Sequence, residues 1–238
     1  FFTLCVVYLI KTETNFIKNI YLTTLITLTV VILDAYYQFF SGTNIFGNYP
    51  LSETIHLRFS GMFGDELVLG RYLVYIVPFF FALMSMQINL TKIHAFIGMT
   101  ILVLSDILIY LSGERTAFFL LTVSTVTIIL LIKRFKYIRL ATFILSIITI
   151  SILTIYNPGV YKRNIELTVQ QTGIGQESHY IFSERYQAHF ESAFKMFLVK
   201  PITGFGPKMY REICKDERFY EKAESCTNHP HNTYIQLM

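Results

Sequence analysis

Two histidines, His229 and His231, stand where apolar residues resume after a long polar stretch. An imidazole can accept a proton from a hydroxyl group near neutral pH, so this pair is a candidate for general base chemistry. We expect His231 to be the catalytic residue, with His229 and Asn232 in supporting roles. A structural hydrogen bond from the His231 imidazole is the alternative. A His-x-His pair without a comparable third ligand nearby predicts no metal site.

Three arginines are candidates for binding phosphate. Arg58, Arg115 and Arg185 each lie in a different polar connection, and a guanidinium group keeps its charge and binds phosphate oxygens through two parallel donors. Arg185 also opens a predicted helix, whose N-terminus attracts anions. The alternative for each is a surface ion pair or an interfacial side chain. A diphosphate held by arginines beside a general base would suit transfer chemistry on a lipid-linked substrate.

The composition indicates which elements position these residues. The chain is 53% hydrophobic and 15% charged, with a mean hydropathy of +0.47, and its apolar residues form long blocks. This pattern predicts an all-α polytopic membrane protein. The net charge of +4 comes from scattered residues, so we expect no nucleic-acid partner.

The apolar blocks predict a transmembrane bundle over residues 1–156, a large periplasmic loop over 157–233 and the start of a further span at 234–238. The spans are expected at about 1–10, 20–40, 67–88, 93–111, 116–132 and 138–156. Because apolar runs open and close the sequence, we interpret it as an internal piece of a longer chain. The basic connection with Lys133, Arg134, Lys136 and Arg139 is expected in the cytoplasm, which turns the candidate site outward.

Three charged residues fall inside the predicted spans: Asp34, Arg71 and Asp106. Such residues usually face the bundle interior or a water-filled cavity. We expect a polar cavity that opens outward, with Asp106 as a supporting residue of the site. Mutual pairing that fixes helix packing is the alternative.

Within the large loop, aromatic residues at helical spacing from Phe182 to Phe197 predict a short amphipathic helix. It could lie on the membrane surface or pack on the bundle. Cys214 and Cys226 share this loop, and an outer compartment permits a disulfide between them. Two free thiols are the alternative.

Three segments, in this order, resemble the O-antigen ligase and O-antigen polymerase superfamily: Ser112–Thr116, Pro201–Gly206 and His229–Tyr234. The resemblance extends from about Leu57 onward. It implies a multi-pass protein of the bacterial inner membrane, with about a dozen spans and an active site on the periplasmic face. In this family a glycan on undecaprenyl diphosphate passes to lipid A-core, or to another glycan in polymerases.

The resemblance also assigns roles. It makes His231 the family histidine, Arg115 the arginine of an Arg-x-x-x-Leu motif and Arg185 the loop arginine. Phe119 stands where that motif has leucine. A metal-independent, inverting glycosyltransferase without cofactors is therefore expected. The alternatives are a polymerase, a protein glycan transferase with the same donor, or a transporter or flippase, which would carry charges near the bilayer midplane.

Overall fold

The computed structural model describes residues 8, 11–13, 15–53, 56–87, 91–172, 184–206, 208–221 and 226–227. Side chains are described throughout these ranges except at 51–53, 56–57 and 184–185. The chain divides into two compact units, Phe1–Asn164 and Ile165–Met238.

The first unit is built from helices. They are α1 (Phe16–Ser41), α2 (Leu69–Met86), α3 (Lys92–Leu111), α4 (Arg115–Leu131), α5 (Lys136–Tyr156) and the short α6 (Pro158–Tyr161). Four of them, α1, α2, α3 and α5, are long and apolar enough to cross a membrane, and α4 is a shorter apolar helix. The predicted helical, multi-pass architecture is confirmed at this level.

The described part of the first unit departs from an all-α fold at one point. Strands β1 (Leu51–Glu53) and β2 (His56–Arg58) pair antiparallel, with Leu51 opposite Arg58. A 3-10 turn at Gly61–Phe63 follows. The hairpin lies in the polar connection between α1 and α2. Each strand has three residues, which is too few to show the alternation of apolar and polar side chains that predicts a strand.

Helices α2 and α3 are at the centre of the helix packing. Helix α2 contacts α1, α3 and α4, and α3 contacts α1, α2, α4 and α5. The most apolar stretches of α2 and α3 are 50% and 44% buried, against 22% for α1 and for α5. The largest buried side chains of this core include Leu73, Phe80, Phe81, Leu102 and Leu108. Helices α1 and α5 expose apolar residues along much of their length, as helices that face lipid do.

The two ends of the bundle differ in composition. One end, the basic end, carries Lys133, Arg134 and Lys136 between α4 and α5. Arg134 donates hydrogen bonds to the carbonyls of Ser85 (2.9 Å) and Gln87 (2.8 Å), which terminate α2. The opposite end, the loop end, carries the connections from α1 to α2 and from α3 to α4.

The second unit contains α7 (Leu167–Thr172), α8 (Glu184–Val199) and α9 (Tyr210–Ile213). A π-helical segment, Lys162–Glu166, precedes α7. Ala193 and Met196 of α8 pack with Tyr210, Cys214 and Phe219 in a small apolar core.

Candidate functional site

Arg115 opens α4 directly after a tight turn, Ser112–Glu114, at the loop end. Gly113 adopts a left-handed backbone conformation (φ 71°), which glycine adopts without steric cost. Ser112 is buried, and its hydroxyl donates to the Ile109 carbonyl (2.8 Å) and accepts from the Glu114 amide (3.3 Å). The turn is therefore held by its own side chains, and Arg115 sits half-buried at its exit.

Glu114 ties this turn to the first turn of α2. One carboxylate oxygen accepts from the Gly70 amide (2.9 Å), and the other accepts from the Arg71 Nε (3.2 Å). The Glu114 side chain is 8% exposed, whereas that of Arg71 is 59% exposed. A Cβ on Gly70 would lie 2.5 Å from the Ser112 hydroxyl oxygen. Helix α2 and the turn thus approach closely, with the Arg71 guanidinium open to solvent.

Arg163 also contacts this turn. Its guanidinium donates to the Gly113 carbonyl (3.2 Å), and a Cβ on Gly113 would lie 2.7 Å from the Arg163 Nε. The side chains of Arg71 and Arg163 therefore contact one short turn that supplies a single carboxylate, and Arg115 is the residue that follows this turn. Guanidinium groups together with the N-terminus of α4 make this position favourable for an anion.

Sequence reasoning singled out Arg115 but missed the two arginines beside it. Arg71 was noted only as a charge inside a span, although the structure has it exposed in the first turn of α2. Arg163 carried no motif. Its contact with Gly113 joins residues 50 positions apart, so no local pattern could have revealed it.

Arg58 ends β2 in a loop that is tied to α1 by buried polar side chains. The Gln38 side-chain oxygen accepts from the amides of Ser60 (3.2 Å) and Gly61 (2.9 Å). The Asn44 amide donates to the Gly61 carbonyl (2.7 Å). Asp34 accepts from the Ile45 amide (3.0 Å), so this carboxylate fixes the loop.

Arg58 is half-buried, and its Nε is buried without a hydrogen-bond partner among the described residues. Arg58 shares the loop end with Arg115, and the binding of one diphosphate by both arginines remains a prediction.

Asp106 lies inside the bundle and is fully paired, contrary to the expected outward-opening cavity. Its carboxylate binds both terminal nitrogens of Arg139 (2.7 and 3.1 Å) and accepts from Ser146 (3.2 Å). Arg139 also donates to Thr125 (2.6 Å), and the two charged side chains are 0% and 1% exposed. The ion pair joins α3, α4 and α5, so its observed partners are those of a packing contact.

The ion pair also changes two expectations from the sequence, on how the charged residues inside the spans pair and on where Arg139 lies. Asp34, Arg71 and Asp106 do not pair with one another, because each has a different partner. Arg139, which we had counted with the basic connection, lies buried in the first turns of α5. The basic connection keeps Lys133, Arg134 and Lys136.

In the second unit, a disulfide joins Cys214 and Cys226, with 5.5 Å between their Cα atoms. It borders the small core, where the Tyr210 hydroxyl donates to the His189 carbonyl (3.1 Å). Burial raises the pKa of Tyr210 to about 12, so this hydroxyl stays protonated as a donor at neutral pH. The disulfide and Tyr210 together fix the chain that leads toward the histidine pair.

The remaining candidates lie outside the described part of the structure. His229, His231 and Asn232 are not among the described residues, and Arg185 is described only as the second residue of α8, without its side chain. Within the described ranges, no three His, Cys, Asp or Glu side chains are grouped as ligands for a metal ion. The joint site of arginines and histidine thus stays a prediction.

Comparison with known proteins gives one match. A family model described as O-antigen ligase matches residues 99–238, which is more than half of the chain. No curated protein and no solved structure matches the chain. The matched region includes Arg115, Asp106, Arg163 and the histidine pair, and it excludes Arg58 and Arg71.

Proposed function

This chain belongs to the O-antigen ligase family, and on that premise we propose that it transfers a glycan from undecaprenyl diphosphate to an acceptor hydroxyl. The family supports glycan transfer of the O-antigen ligase type by a membrane-embedded enzyme. The undecaprenyl diphosphate donor, the lipid A-core acceptor and the periplasmic face of the bacterial inner membrane are part of the proposal.

One observation carries the proposal. The turn that precedes Arg115 is fixed by two contacts: Glu114 binds the first turn of α2, and Arg163 binds the Gly113 carbonyl. Hydrogen bonds hold Arg71 and Arg163 at this turn. A guanidinium group held in place before substrate arrives loses little side-chain freedom on binding, so it can stabilise charge without reorganisation. A diphosphate is the anion for which several arginines at one turn are suited.

The proposed chemistry is a single displacement at the anomeric carbon. The acceptor oxygen forms the new bond as the glycosyl–phosphate bond breaks, and the bonding pair leaves with the diphosphate. Arg115, with Arg71 and Arg163 beside it and with Arg58 and Arg185 as further candidates, would stabilise the charge that grows there. His231 would accept the acceptor proton. Inversion at carbon follows from one displacement, and no metal or cofactor is invoked.

A transporter or flippase is the alternative from another class. Such proteins place charged residues near the bilayer midplane, and Asp106 and Arg139 do lie inside the bundle. Their hydrogen bonds to each other, to Thr125 and to Ser146, and their near-complete burial, favour a structural role. We therefore favour chemistry at the loop end.

Replacing Arg115 tests the proposal. Loss of one preorganised donor to a developing anion typically lowers the rate about 10²–10³-fold, and we expect Arg115→Ala to lose transfer to that extent. Arg115→Lys should recover little, because a lysine cannot form two parallel bonds to phosphate oxygens. Arg218→Ala is the matched control, since Arg218 is exposed and pairs with its neighbour Asp216.

The readout is transfer of a lipid-linked glycan in vitro, with the amount of folded protein measured for each variant. Full activity of Arg115→Ala would remove Arg115 from the site. Lipopolysaccharide gels of a strain that lacks the gene then identify the acceptor class. Loss of all long chains with free lipid-linked polymer indicates a ligase, whereas a core that carries one repeat indicates a polymerase.

A further inference from the structure

Helix α8 has apolar residues on two opposite sides. One side packs in the core of the second unit, through Ala188, Ala193 and Met196. At 100° per residue, Phe194 and Leu198 lie opposite those buried residues. A helix at a water-exposed surface normally carries polar residues on that opposite side.

The outward side remains uncovered among the described residues. Phe194 is 51% exposed, Leu198 62% and, beyond the end of the helix, Ile202 95%. We call these residues the outer face. Ile202 follows the end of α8 and is almost fully exposed.

The chain around the outer face is basic. Between Ser192 and Arg211 it carries four cations, Lys195, Lys200, Lys208 and Arg211, and no Asp or Glu. Two of the four have acidic partners outside that stretch, since Lys195 pairs with Glu221 and Arg211 with Glu212. Lys200 lies beside the outer face, with its ammonium 4.8 Å from the centroid of the Phe205 ring. Apolar residues flanked by lysines are typical of segments in the interface of a bilayer, where anionic headgroups attract the cations.

We propose that the outer face of α8 inserts into the surface of the lipid bilayer. The same chain carries four helices long and apolar enough to cross a membrane, so a bilayer is a partner within reach of the second unit. The basic residues and the highly exposed Ile202 fit a lipid surface with anionic headgroups better than a second protein, which would need a complementary acidic surface. Insertion would hold the second unit against the membrane, and this inference does not depend on the proposed transfer reaction.

Tryptophan fluorescence tests the insertion directly, because the 238-residue chain contains no tryptophan. Ile202→Trp therefore gives a single reporter, and the high exposure of Ile202 means that the substitution disturbs no packing. Glu217→Trp is the matched control, since Glu217 is exposed in the same unit. Leu198→Trp is a second reporter on the outer face. Each variant of the whole chain is reconstituted in phosphatidylcholine–phosphatidylglycerol vesicles, with or without lipids spin-labelled high on the acyl chain.

Both outer-face reporters should show blue-shifted emission and several-fold stronger quenching by the labelled lipid than the control. Blue-shifted emission without lipid quenching would mean that protein covers the outer face, either the bundle or a second copy, and would overturn the proposal. Emission that matches the control would mean that the outer face is in water and would overturn it equally.

Discussion

The buried ion pair between Asp106 and Arg139 gives the sharpest prediction about stability. Asp106→Asn keeps the shape of the side chain but leaves the Arg139 guanidinium, 1% exposed, without a counter-charge. Breaking a buried pair from one side typically costs about 3–5 kcal/mol. Thr125 still accepts one of the arginine hydrogen bonds, so we expect the lower part of that range, about 3 kcal/mol.

Asp106→Asn and Arg139→Met should lower the free energy of unfolding by different amounts. Arg139→Met leaves a carboxyl group that can take up a proton and become neutral, whereas arginine stays charged. We therefore expect Arg139→Met to cost less than Asp106→Asn. Replacing both residues by apolar ones, Asp106→Leu with Arg139→Met, should cost less than the sum of the two singles, because no charge remains buried.

The assay is the free energy of unfolding in mixed detergent micelles, measured for the singles and the double variant. Asp65→Asn is the matched control, because Asp65 is exposed in the connection before α2 and surface changes usually stay within about 0.5 kcal/mol. If the free energy of unfolding of Asp106→Asn lies within about 1 kcal/mol of the parent value, the reasoning is refuted, because the ion pair would then contribute no more than an exposed one.

Three further predictions concern topology, the disulfide and the histidines. A cysteine at Thr116 should react with an impermeant reagent in intact cells, and a cysteine at Lys133 should not. Both positions are exposed, so the difference reports only that they lie at opposite ends of α4. The reverse labelling pattern would show that the topology is inverted. Replacing Cys214 with serine should lower the unfolding free energy of the second unit by about 2–4 kcal/mol, measured by thermal unfolding, and an unchanged transition would show that the disulfide is dispensable. His231→Ala should abolish in-vitro transfer while donor binding persists, whereas His229→Ala should cost much less; a dead His229→Ala beside an active His231→Ala would reverse the assignment.

The membrane helices could be predicted because a helix needs about 20 consecutive apolar residues to cross a bilayer. Long apolar blocks are a local signal, and α1, α2, α3 and α5 follow from it. The loop that follows α1 could not be predicted in the same way. Gln38 and Asn44 look like ordinary polar residues in sequence, yet they bind the backbone at Gly61 from 23 and 17 positions away.

The role of Arg139 shows the same limit. In sequence it is one of four nearby cations, and counting charges treats all four alike. Only the packing of α3 against α5 brings Asp106, 33 positions earlier, to its guanidinium. Likewise, the motif around Arg115 identified the position of the candidate site, while its neighbours Arg71 and Arg163 depend on tertiary contacts.

The backbone conformation at Gly113 limits which residues can replace it during evolution. A side chain there would meet two separate obstacles, the positive φ of 71° and the Arg163 Nε at 2.7 Å. A smaller residue at 163 removes the collision but leaves the backbone strain, which only asparagine or aspartate tolerates moderately well. The Arg163 side chain is flexible and can move aside at the cost of its hydrogen bond to the Gly113 carbonyl, so the backbone strain is the stronger of the two obstacles. Among relatives, position 113 is therefore expected to hold glycine, or else asparagine or aspartate, whatever residue stands at 163.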